Sequence, residues 1–404
     1  MPLSKNGDLY LITVSGKDHP GITAELMRAV SASGDEVIDM GQAVTHGLLS
    51  LSFVLKINSV PENATRTPII RDLLFLAKDI GLELEYEKIE EDLDKDTQEE
   101  SLESIFVLNC VTPEKITASF IRDTATTLAK NKINIRRIDK VSPKSFSSLE
   151  ITTTVPGFLD LDSVKHDLIE VSTNHKVDVA FLKDNVFRRS KRLIVFDMDS
   201  TLIQTEVIDE MAELAGVGDQ VKAITEQAMN GEIDFNESLI KRVQALEGLD
   251  KEKLVELSNR LPLTEGVEEF IQTVKRLGYK VALISGGFSF FTDRLKDLLK
   301  IDYAFANELE FREDKLTGKV IGTIVNAEQK ALLLKLIAQQ ENISLEQVVA
   351  IGDGANDLPM LSTAGLGIAF HAKDIVRKKA EQRMSHGPMT SILYFLGIPG
   401  VEDI

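Results

Sequence analysis

The 404-residue sequence contains a single cysteine, Cys110, and no tryptophan. One thiol cannot form an internal disulfide, and it excludes a zinc site built from several cysteines. No apolar run approaches the roughly 18 residues of a membrane-spanning helix. Residues 1–10 lack the charged and then apolar pattern of a secretory signal. We therefore expect a protein of the reducing cytoplasm that does not associate with a membrane.

Positive charge is also scarce, because 46 lysines and arginines stand against 64 aspartates and glutamates, for a formal net charge of −18. Such a chain repels a phosphate backbone, so we expect no binding to nucleic acid. The charge is uneven, since eleven acidic residues and two lysines between Glu83 and Glu103 give a local charge of −9. Residues 90–103 have almost nothing to bury and predict a solvated linker between two domains.

An internal repeat flanks this linker. Residues 1–89 and 104–183 each show the order βαββαβ, and the second copy starts about 96 positions after the first. The pattern predicts strands at 9–14, 37–45, 48–57 and 82–89 with helices at 22–33 and 68–79, and then strands at 105–111, 133–142, 147–155 and 177–182 with helices at 116–130 and 162–173. Internal duplication of one small domain is the economical explanation.

The third unit, residues 190–404, begins after a polar and basic stretch at 183–191. Its first apolar strand ends at Phe196 and is followed at once by Asp197 and Asp199. Two acids two positions apart project to the same side of an extended backbone. Placing both at the end of a buried parallel strand is costly unless a cation or a transferred group uses them. A lone Asp-x-Asp would equally suit a turn that caps the next helix.

Two later strands end in related chemistry. Residues 280–285 lead into Ser285-Gly286-Gly287, and residues 348–354 lead into Asp353-Gly354-Ala355-Asn356-Asp357. Lys330 begins an apolar helix between them. Because helices separate the strands, the pattern predicts a doubly wound parallel α/β sheet whose strand ends bring these groups together. Taken singly, Ser285 is also a possible helix cap, Lys330 a solvated lysine and Asp353 a turn residue.

These motifs, in this order, resemble those of the haloacid dehalogenase superfamily of phosphohydrolases, which has a Rossmann-like sheet. The resemblance implies that Asp197 is the nucleophile and forms an aspartyl-phosphate. It implies that Asp199 acts first as general acid and then as general base. Ser285 and Gly286 would donate hydrogen bonds to the phosphoryl oxygens, and Lys330 would neutralise their growing charge.

The same resemblance implies a bound Mg²⁺ ion. Its ligands would be the carboxylates of Asp197 and Asp353 and the backbone carbonyl of Asp199, since Mg²⁺ prefers oxygen ligands. Asn356 and Asp357 would support these ligands, and Asn356 would also contact the substrate.

An insertion at about 203–262 predicts a helical cap over the strand ends. Its helical segments fall at 207–215, 220–229, 235–246 and 251–260. A cap of this kind excludes water and selects the substrate.

The run Met198-Asp199-Ser200-Thr201, which follows the nucleophile candidate, and residues 229–243 of the cap resemble the phosphoserine phosphatase family. The resemblance implies O-phospho-L-serine as substrate, with Glu206 binding its ammonium and Arg242 binding its carboxylate in bidentate geometry. Met229 and Phe235 would form an apolar wall. The spacing alone also fits an amphipathic helix pair, with Met229 and Phe235 in its core and Arg242 solvated.

The first repeat resembles ACT domains, which bind amino acids, at its turn Gly16-Lys17-Asp18-His19-Pro20-Gly21-Ile22. The resemblance implies regulation by serine or another amino acid bound near Asp18 and Gly21, and a homodimer formed through these domains. The alternative is that Asp18 only caps the helix while the glycine shapes the turn. The second repeat lacks Asp-x-Pro-Gly and is predicted to serve as a pairing partner.

The resemblances together imply a Mg²⁺-dependent phosphoserine phosphatase with two ACT-like domains, which catalyses the last step of L-serine biosynthesis. One alternative is a related phosphatase for another small phosphomonoester, such as phosphohomoserine or phosphothreonine. A second, of a different class, is an amino-acid sensor with an inactive phosphatase fold. That alternative predicts missing catalytic groups, whereas every catalytic position is filled.

Overall fold

The computed structural model describes residues 8–57, 68–89, 103–142, 147–373, 376, 380 and 382–398. The chain divides into two compact units between residues 101 and 102. The linker predicted at 90–103 lies outside the described residues, apart from Glu103 in the first strand of the second unit. None of the described helices is both long enough and apolar enough to cross a bilayer.

The first unit is a four-stranded antiparallel sheet covered by two helices. Its elements are β1 (Asp8–Lys17), α1 (Ile22–Ser33), β2 (Glu36–Thr45), β3 (Leu48–Ile57), α2 (Pro68–Asp79) and β4 (Leu82–Ile89), with strand order β2-β3-β1-β4. Alternate residues of β3 point inwards, and Leu51 and Phe53 are buried there. They pack against Leu26, which lies on the apolar face of α1, and Leu73 of α2.

The second repeat has the same order of elements in the second unit. It comprises β5 (Glu103–Val111), α3 (Ala118–Lys130), β6 (Asn134–Lys140), β7 (Ser148–Pro156), α4 (Leu161–His175) and β8 (Asp178–Lys183), with strand order β6-β7-β5-β8. Helix α3 begins two residues later than predicted, because the side chain of Thr117 caps it by accepting from the backbone N–H of Phe120.

The rest of the second unit is built on a seven-stranded sheet with the order β12-β11-β10-β9-β13-β14-β15. Its strands are β9 (Leu193–Phe196), β10 (Lys280–Phe288), β11 (Tyr303–Arg312), β12 (Lys315–Ile321), β13 (Val348–Gly352), β14 (Leu366–Phe370) and β15 (Gln382–Met384). Strands β9 and β13 are wholly buried, as the apolar runs predict. The predicted doubly wound α/β fold, preceded by two βαββαβ domains, is confirmed.

One edge of this sheet is an antiparallel hairpin that the sequence did not reveal. Strands β11 and β12 pair across Glu313 and Asp314, which both have left-handed backbone angles, with φ of 50° and 57°. Two left-handed residues suit a tight hairpin turn, but such turns normally carry asparagine or glycine. The pair Glu-Asp gives no such signal.

Helices cover the sheet and form the cap. The cap helices are α5 (Val207–Ala215), α6 (Gly218–Met229), α7 (Phe235–Ala245) and α8 (Lys251–Arg260). Among the described residues, the other α-helices of this part are α9 (Val267–Arg276), α10 (Ser289–Leu299), α11 (Ala327–Gln340), α12 (Leu358–Thr363) and α13 (Ile392–Phe395). The cap packs on the hairpin, where Gly248 donates its N–H to the carbonyl of Leu316 at 2.8 Å.

The second repeat packs directly on the seven-stranded sheet. Val111 and Ala180, on its outer sheet face, belong to the same buried cluster as Phe196 of β9 and Phe270 of α9. The side chain of Gln382 in β15 accepts from the N–H of Phe181 at 3.2 Å and donates to its carbonyl at 3.3 Å. The Asp178 carboxylate accepts the backbone N–H groups of residues 385 and 386. This repeat therefore belongs to the same compact unit as the seven-stranded sheet.

Candidate active site

The carboxyl ends of three neighbouring strands meet at one edge of the sheet. Strand β9 pairs in parallel with β10 on one side and with β13 on the other. The residues that follow these strands therefore lie close together. Asp197, Ser285 and Asp353 are all buried there, with 4%, 0% and 5% of their surface exposed. Carboxylates and a hydroxyl thus converge on one point, as the spacing of the motifs predicts.

Lys330 holds two of the carboxylates. Its Nζ donates to Oδ1 of Asp197 and to Oδ1 of Asp357, each at 2.7 Å, and its side chain is fully buried. It lies in the first turns of α11, which Asn326 caps by accepting from Gln329 N–H. Burial alone would lower the pKa of Lys330, but the two carboxylates more than offset this effect and raise it. A permanent cation therefore lies beside Asp197.

Asp199 is oriented by the cap. Its Oδ1 accepts the backbone N–H of Val207, the first residue of α5, at 2.9 Å. Burial, and after it the negative charge of Glu206, raise the pKa of Asp199 to about 7. Both protonation states of such a carboxyl are populated near neutral pH, which suits a group that gives and then takes a proton.

Two glycines allow these carboxylates to approach the backbone. A Cβ on Gly287 would lie 2.8 Å from Oδ2 of Asp199 and 2.9 Å from Cε of Met198. A Cβ on Gly352 would lie 2.6 Å from Cγ of Asp357. Any other residue would displace the acids, so both positions require glycine.

Asn307 fixes the irregular segment 285–287 near the end of β10, called the Ser285 loop, and no motif in the sequence pointed to this residue. Its Nδ2 donates to the carbonyl of Gly286 at 2.8 Å and to that of Gly287 at 3.2 Å. Its Oδ1 accepts the N–H of Val325 at 2.8 Å. Asn307 is 1% exposed and lies in β11, so its contacts depend on the pairing of β10 with β11. It orients the loop that carries Ser285.

Three carboxylates form a cluster that could hold a divalent cation. One oxygen each of Asp197, Asp353 and Asp357 lies within 4.8 Å of the others. Burial, followed by the charges of Asp357 and Glu206, raises the pKa of Asp353 to about 7. The three carboxylates together therefore carry more negative charge than Lys330 neutralises. Hard oxygen ligands with unbalanced charge suit a divalent cation. Asp357, predicted only to support the ligands, supplies the third carboxylate of the cluster.

A cavity of about 380 Å³ lies between this edge of the sheet and the cap. It is lined by the nucleophile candidate Asp197 and by the predicted substrate residues Glu206, Met229, Phe235, Arg242 and Asn356. The fully buried Ser285 and Lys330 do not form part of the lining surface. The structure thus places Asp197 and the predicted substrate-recognition groups around a single cavity, whereas Ser285 and Lys330 are buried outside its lining.

The apolar wall comes from two ends of cap helices. Phe235 begins α7, and its Cζ would lie 3.2 Å from a Cβ on Gly286, so the ring lies over the Ser285 loop. Met229 ends α6, lines the cavity and is 78% exposed. Such exposure rules out the alternative that Met229 is a core residue of the cap.

Charged groups line the cap side of the cavity. Oε1 of Glu206 accepts from Ser200 Oγ at 3.1 Å and lies 3.8 Å from Nζ of Lys373. Burial lowers the pKa of Arg242, while the charges of Asp209 and Glu206 act in the opposite direction. Arg242 is therefore an incompletely solvated cation rather than a free surface group.

Two of these lining residues, Asp209 and Lys373, were missed by the sequence analysis. Asp209 lies one helical turn after Glu206 on α5, and this i, i+3 spacing of acids was a signal that could have found it. Lys373 follows β14 in a segment that matched none of the motifs.

The predicted amino-acid turn lies in the first unit. Gly21 is the N-cap of α1, has a left-handed φ of 104° and has no side-chain cap bond. Asp18 is exposed, and its N–H donates to the carbonyl of Gly47 at 2.9 Å. The alternative in which Asp18 caps the helix is therefore wrong. The first amides of α1 are left without a side-chain cap.

Comparison with known proteins agrees with this geometry. Residues 191–365 match the haloacid dehalogenase-like hydrolase family, and residues 8–103 and 108–182 each match an ACT domain family. Phosphoserine phosphatase SerB2 of Mycobacterium tuberculosis is 38% identical over 96% of this chain and 93% of its own length. Phosphoserine phosphatase of Streptomyces coelicolor is 36% identical over 100% of this chain and 96% of its own.

The chain belongs to the phosphoserine phosphatase family. Among solved structures, a haloacid dehalogenase family hydrolase of Salmonella enterica serovar Typhi is 34% identical with a TM-score of 0.64, covering 72% of this chain and 98% of that one. The resemblance to phosphoserine phosphatases with ACT domains is confirmed, and the chain is a phosphatase. The alternative of a sensor with an inactive phosphatase fold is not supported.

Proposed function

We propose that the chain hydrolyses O-phospho-L-serine to L-serine and phosphate, the last step of L-serine biosynthesis. The observation that carries this proposal is the distribution of charge around one cavity. The Asp197–Lys330 pair lies at its base, whereas the anion Glu206 and the cation Arg242 lie on the cap side. Phosphoserine carries a phosphate, an ammonium and a carboxylate, so each of its charged groups has a partner of suitable charge.

The first half of the reaction forms the aspartyl-phosphate. An oxygen of Asp197 attacks phosphorus as the bond from phosphorus to the serine oxygen breaks. Asp199 donates its proton to that oxygen, so L-serine leaves with a neutral hydroxyl group. Amides of the Ser285 loop and the Lys330 ammonium stabilise the charge on the transferring phosphoryl group. Arg242 and Glu206 hold the amino acid in place during this step.

The second half releases phosphate. The ionised Asp199 takes a proton from a water molecule, whose oxygen attacks phosphorus. The bond from phosphorus to Asp197 breaks, which regenerates the carboxylate and frees inorganic phosphate. Phe235 lies over the loop and limits the entry of other water during the reaction.

We also propose Mg²⁺ as the cofactor, held by the carboxylates of Asp197 and Asp353 and by the backbone carbonyl of Asp199. The support is the cluster of acid oxygens with raised pKa beside the nucleophile. A bound Mg²⁺ would stabilise negative charge on the phosphoryl oxygens. Asp357 accepts from Gly354 N–H at 2.9 Å and so keeps this loop in place.

The test is Asp197→Asn with the full chain. We expect turnover of phosphoserine to be abolished while circular dichroism and the melting temperature stay near those of the wild type. Retained turnover would refute the nucleophile assignment. Wild-type rates should be highest for phosphoserine among phosphoserine, phosphothreonine, phosphohomoserine and a phosphomonoester without amino and carboxyl groups. Equal rates for the last compound would contradict the substrate assignment.

For regulation, we propose that serine or another amino acid binds near Asp18 and Gly21, and that the protein is a homodimer. Support comes from the ACT domain match and from the start of α1, where no side chain caps the helix and backbone amides suit a carboxylate. Binding of L-serine is best measured by calorimetry in an Arg242→Met variant, which removes binding at the cap. Adding Gly21→Val should abolish the remaining heat, and unchanged binding would contradict the site. Light scattering tests the dimer.

A further inference from the structure

Lys373 lies where the ammonium of the substrate is expected. Its Nζ is 3.8 Å from Oε1 of Glu206, and both residues line the cavity. Glu206 immediately precedes cap helix α5, whereas Lys373 follows strand β14 of the sheet. The pair therefore links the cap to the sheet across the mouth of the cavity. Its side chains are 64% exposed for the lysine and 42% for the glutamate, so the lysine can move away.

The charges around Lys373 explain its position. Besides pairing with Glu206, Lys373 has a positive charge that acts to lower the pKa of Asp209 and of Asp353. Three acids therefore lie near one exposed ammonium. A primary ammonium is also the group through which phosphoserine would reach Glu206. Lys373 and the substrate thus present the same chemical group to the same carboxylate.

We propose that Lys373 is a specificity-determining residue that occupies the ammonium subsite until substrate displaces it. This inference rests on the proposed function, in which Glu206 binds the substrate ammonium. When phosphoserine binds, its own ammonium replaces Lys373. When a phosphate ester without an amino group binds, Lys373 stays on Glu206 and keeps that carboxylate neutralised. Lys373 therefore slightly weakens the binding of phosphoserine, which must displace it from Glu206, and does not weaken the binding of the amine-free ester.

The decisive measurement is a ratio. The selectivity is kcat/KM for O-phospho-L-serine divided by kcat/KM for 3-phosphonooxypropanoate, which is phosphoserine without its ammonium. Lys373→Met should raise this ratio two- to fivefold, since an exposed ion pair is worth about 0.4–1 kcal/mol by the usual factor of ten per 1.4 kcal/mol. The KM for phosphoserine should fall relative to that for the amine-free compound. The amine-free compound carries one more net negative charge, so a loss of general attraction for anions also raises the ratio. The control Lys241→Met, described below, measures this general contribution.

Two further variants serve as controls. Lys373→Arg keeps a cation at this place and should keep the wild-type ratio. Lys241→Met removes an exposed ion pair of the cap, in which Nζ lies 2.8 Å from Glu237, and should leave the ratio unchanged. An unchanged or lowered ratio in Lys373→Met would overturn the inference while leaving phosphoserine hydrolysis intact. A wild-type protein that does not hydrolyse phosphoserine would overturn the proposed function and this inference together.

Discussion

The two repeats have the same order of strands and helices but opposite surroundings for their outer sheet faces. In β1, Thr13 pairs with Ser52 of β3 and Glu85 of β4. At the corresponding place in β5, Asn109 pairs with Glu150 of β7 and Ala180 of β8. Glu85 is exposed, whereas Asn109, Glu150 and Ala180 are 1%, 5% and 0% exposed. One copy keeps a solvated face, and the other uses the same face as a packing surface.

The first helices of the two repeats also differ, in whether a side chain caps the helix start. Helix α1 follows Gly21, which offers no side-chain cap, whereas α3 is capped by Thr117. A capped helix start has satisfied one of its amides and is less suited to bind a carboxylate. The comparison teaches that duplication has separated two tasks: the first repeat keeps the open helix start, and the second has become a structural part of the catalytic unit.

The strongest way to break this comparison is to give the second repeat the residue of the first. Ala180→Glu would place a carboxylate in the buried cluster between β8 and the catalytic core, so we expect it to lower the free energy of unfolding by more than about 4 kcal/mol. Urea denaturation of the full chain measures this loss. The matched change Glu85→Ala in the first repeat should alter stability by less than about 0.5 kcal/mol. Similar effects of the two changes would contradict the difference in burial.

A second test removes the buried ion pair of the second repeat. Glu150 accepts from Arg188 Nη1 at 2.9 Å and from Arg189 Nη2 at 2.9 Å, and the Arg188 side chain is 3% exposed. Glu150→Ala would leave Arg188 with only Asp184 as acid partner among the described residues. We expect a loss of about 3 kcal/mol in unfolding free energy. The corresponding Ser52→Ala should have little effect, and an equally small loss for Glu150→Ala would show that water solvates Arg188.

The strands and helices of both repeats followed closely from the sequence, because alternating and helical periodicities report local burial. Whether the outer face of each sheet is solvated or packed against other elements did not follow from the sequence. In β4 the alternate acids Glu83, Glu85 and Glu87 indicate a solvated face, and the uncharged residues Ala180 and Leu182 in β8 were an available signal of burial. Which surface covers β8 depends on long-range packing against β15, which no local pattern encodes.

The active site divides in the same way. The sequence was sufficient to single out Asp197, Asp199, Ser285 and Asp353, because each lies at the end of a recognisable buried strand. Asn307 and Lys373 could not be identified in this way. The contacts of Asn307 depend on the pairing of β10 with β11, and Lys373 lies in a loop that contains no motif.

A smaller effect tests the buried amide of β5. Neither Oδ1 nor Nδ2 of Asn109 has a hydrogen-bond partner among the described residues, although both are buried. Asn109→Leu replaces unsatisfied polar atoms by apolar ones of similar volume, so we expect a gain of about 1 kcal/mol in unfolding free energy. The corresponding Thr13→Val removes the contact of Thr13 with Ser52 at 3.3 Å and should bring no gain. A destabilised Asn109→Leu variant would indicate that a bound water pairs with the amide.

The smallest expected effect sharpens the comparison of the helix starts. Thr117→Gly removes the side-chain cap of α3 and makes its start resemble that of α1, at a loss of only a few tenths of a kcal/mol. If an open helix start were sufficient for amino-acid binding, this variant would gain a second serine site in calorimetry, with Arg242→Met present to remove binding at the cap. We expect no second site, because residues 112–116 lack the Asp-x-Pro-Gly turn at which we propose that the first repeat binds its ligand. A gained site would mean that the capping side chain alone separates the two copies.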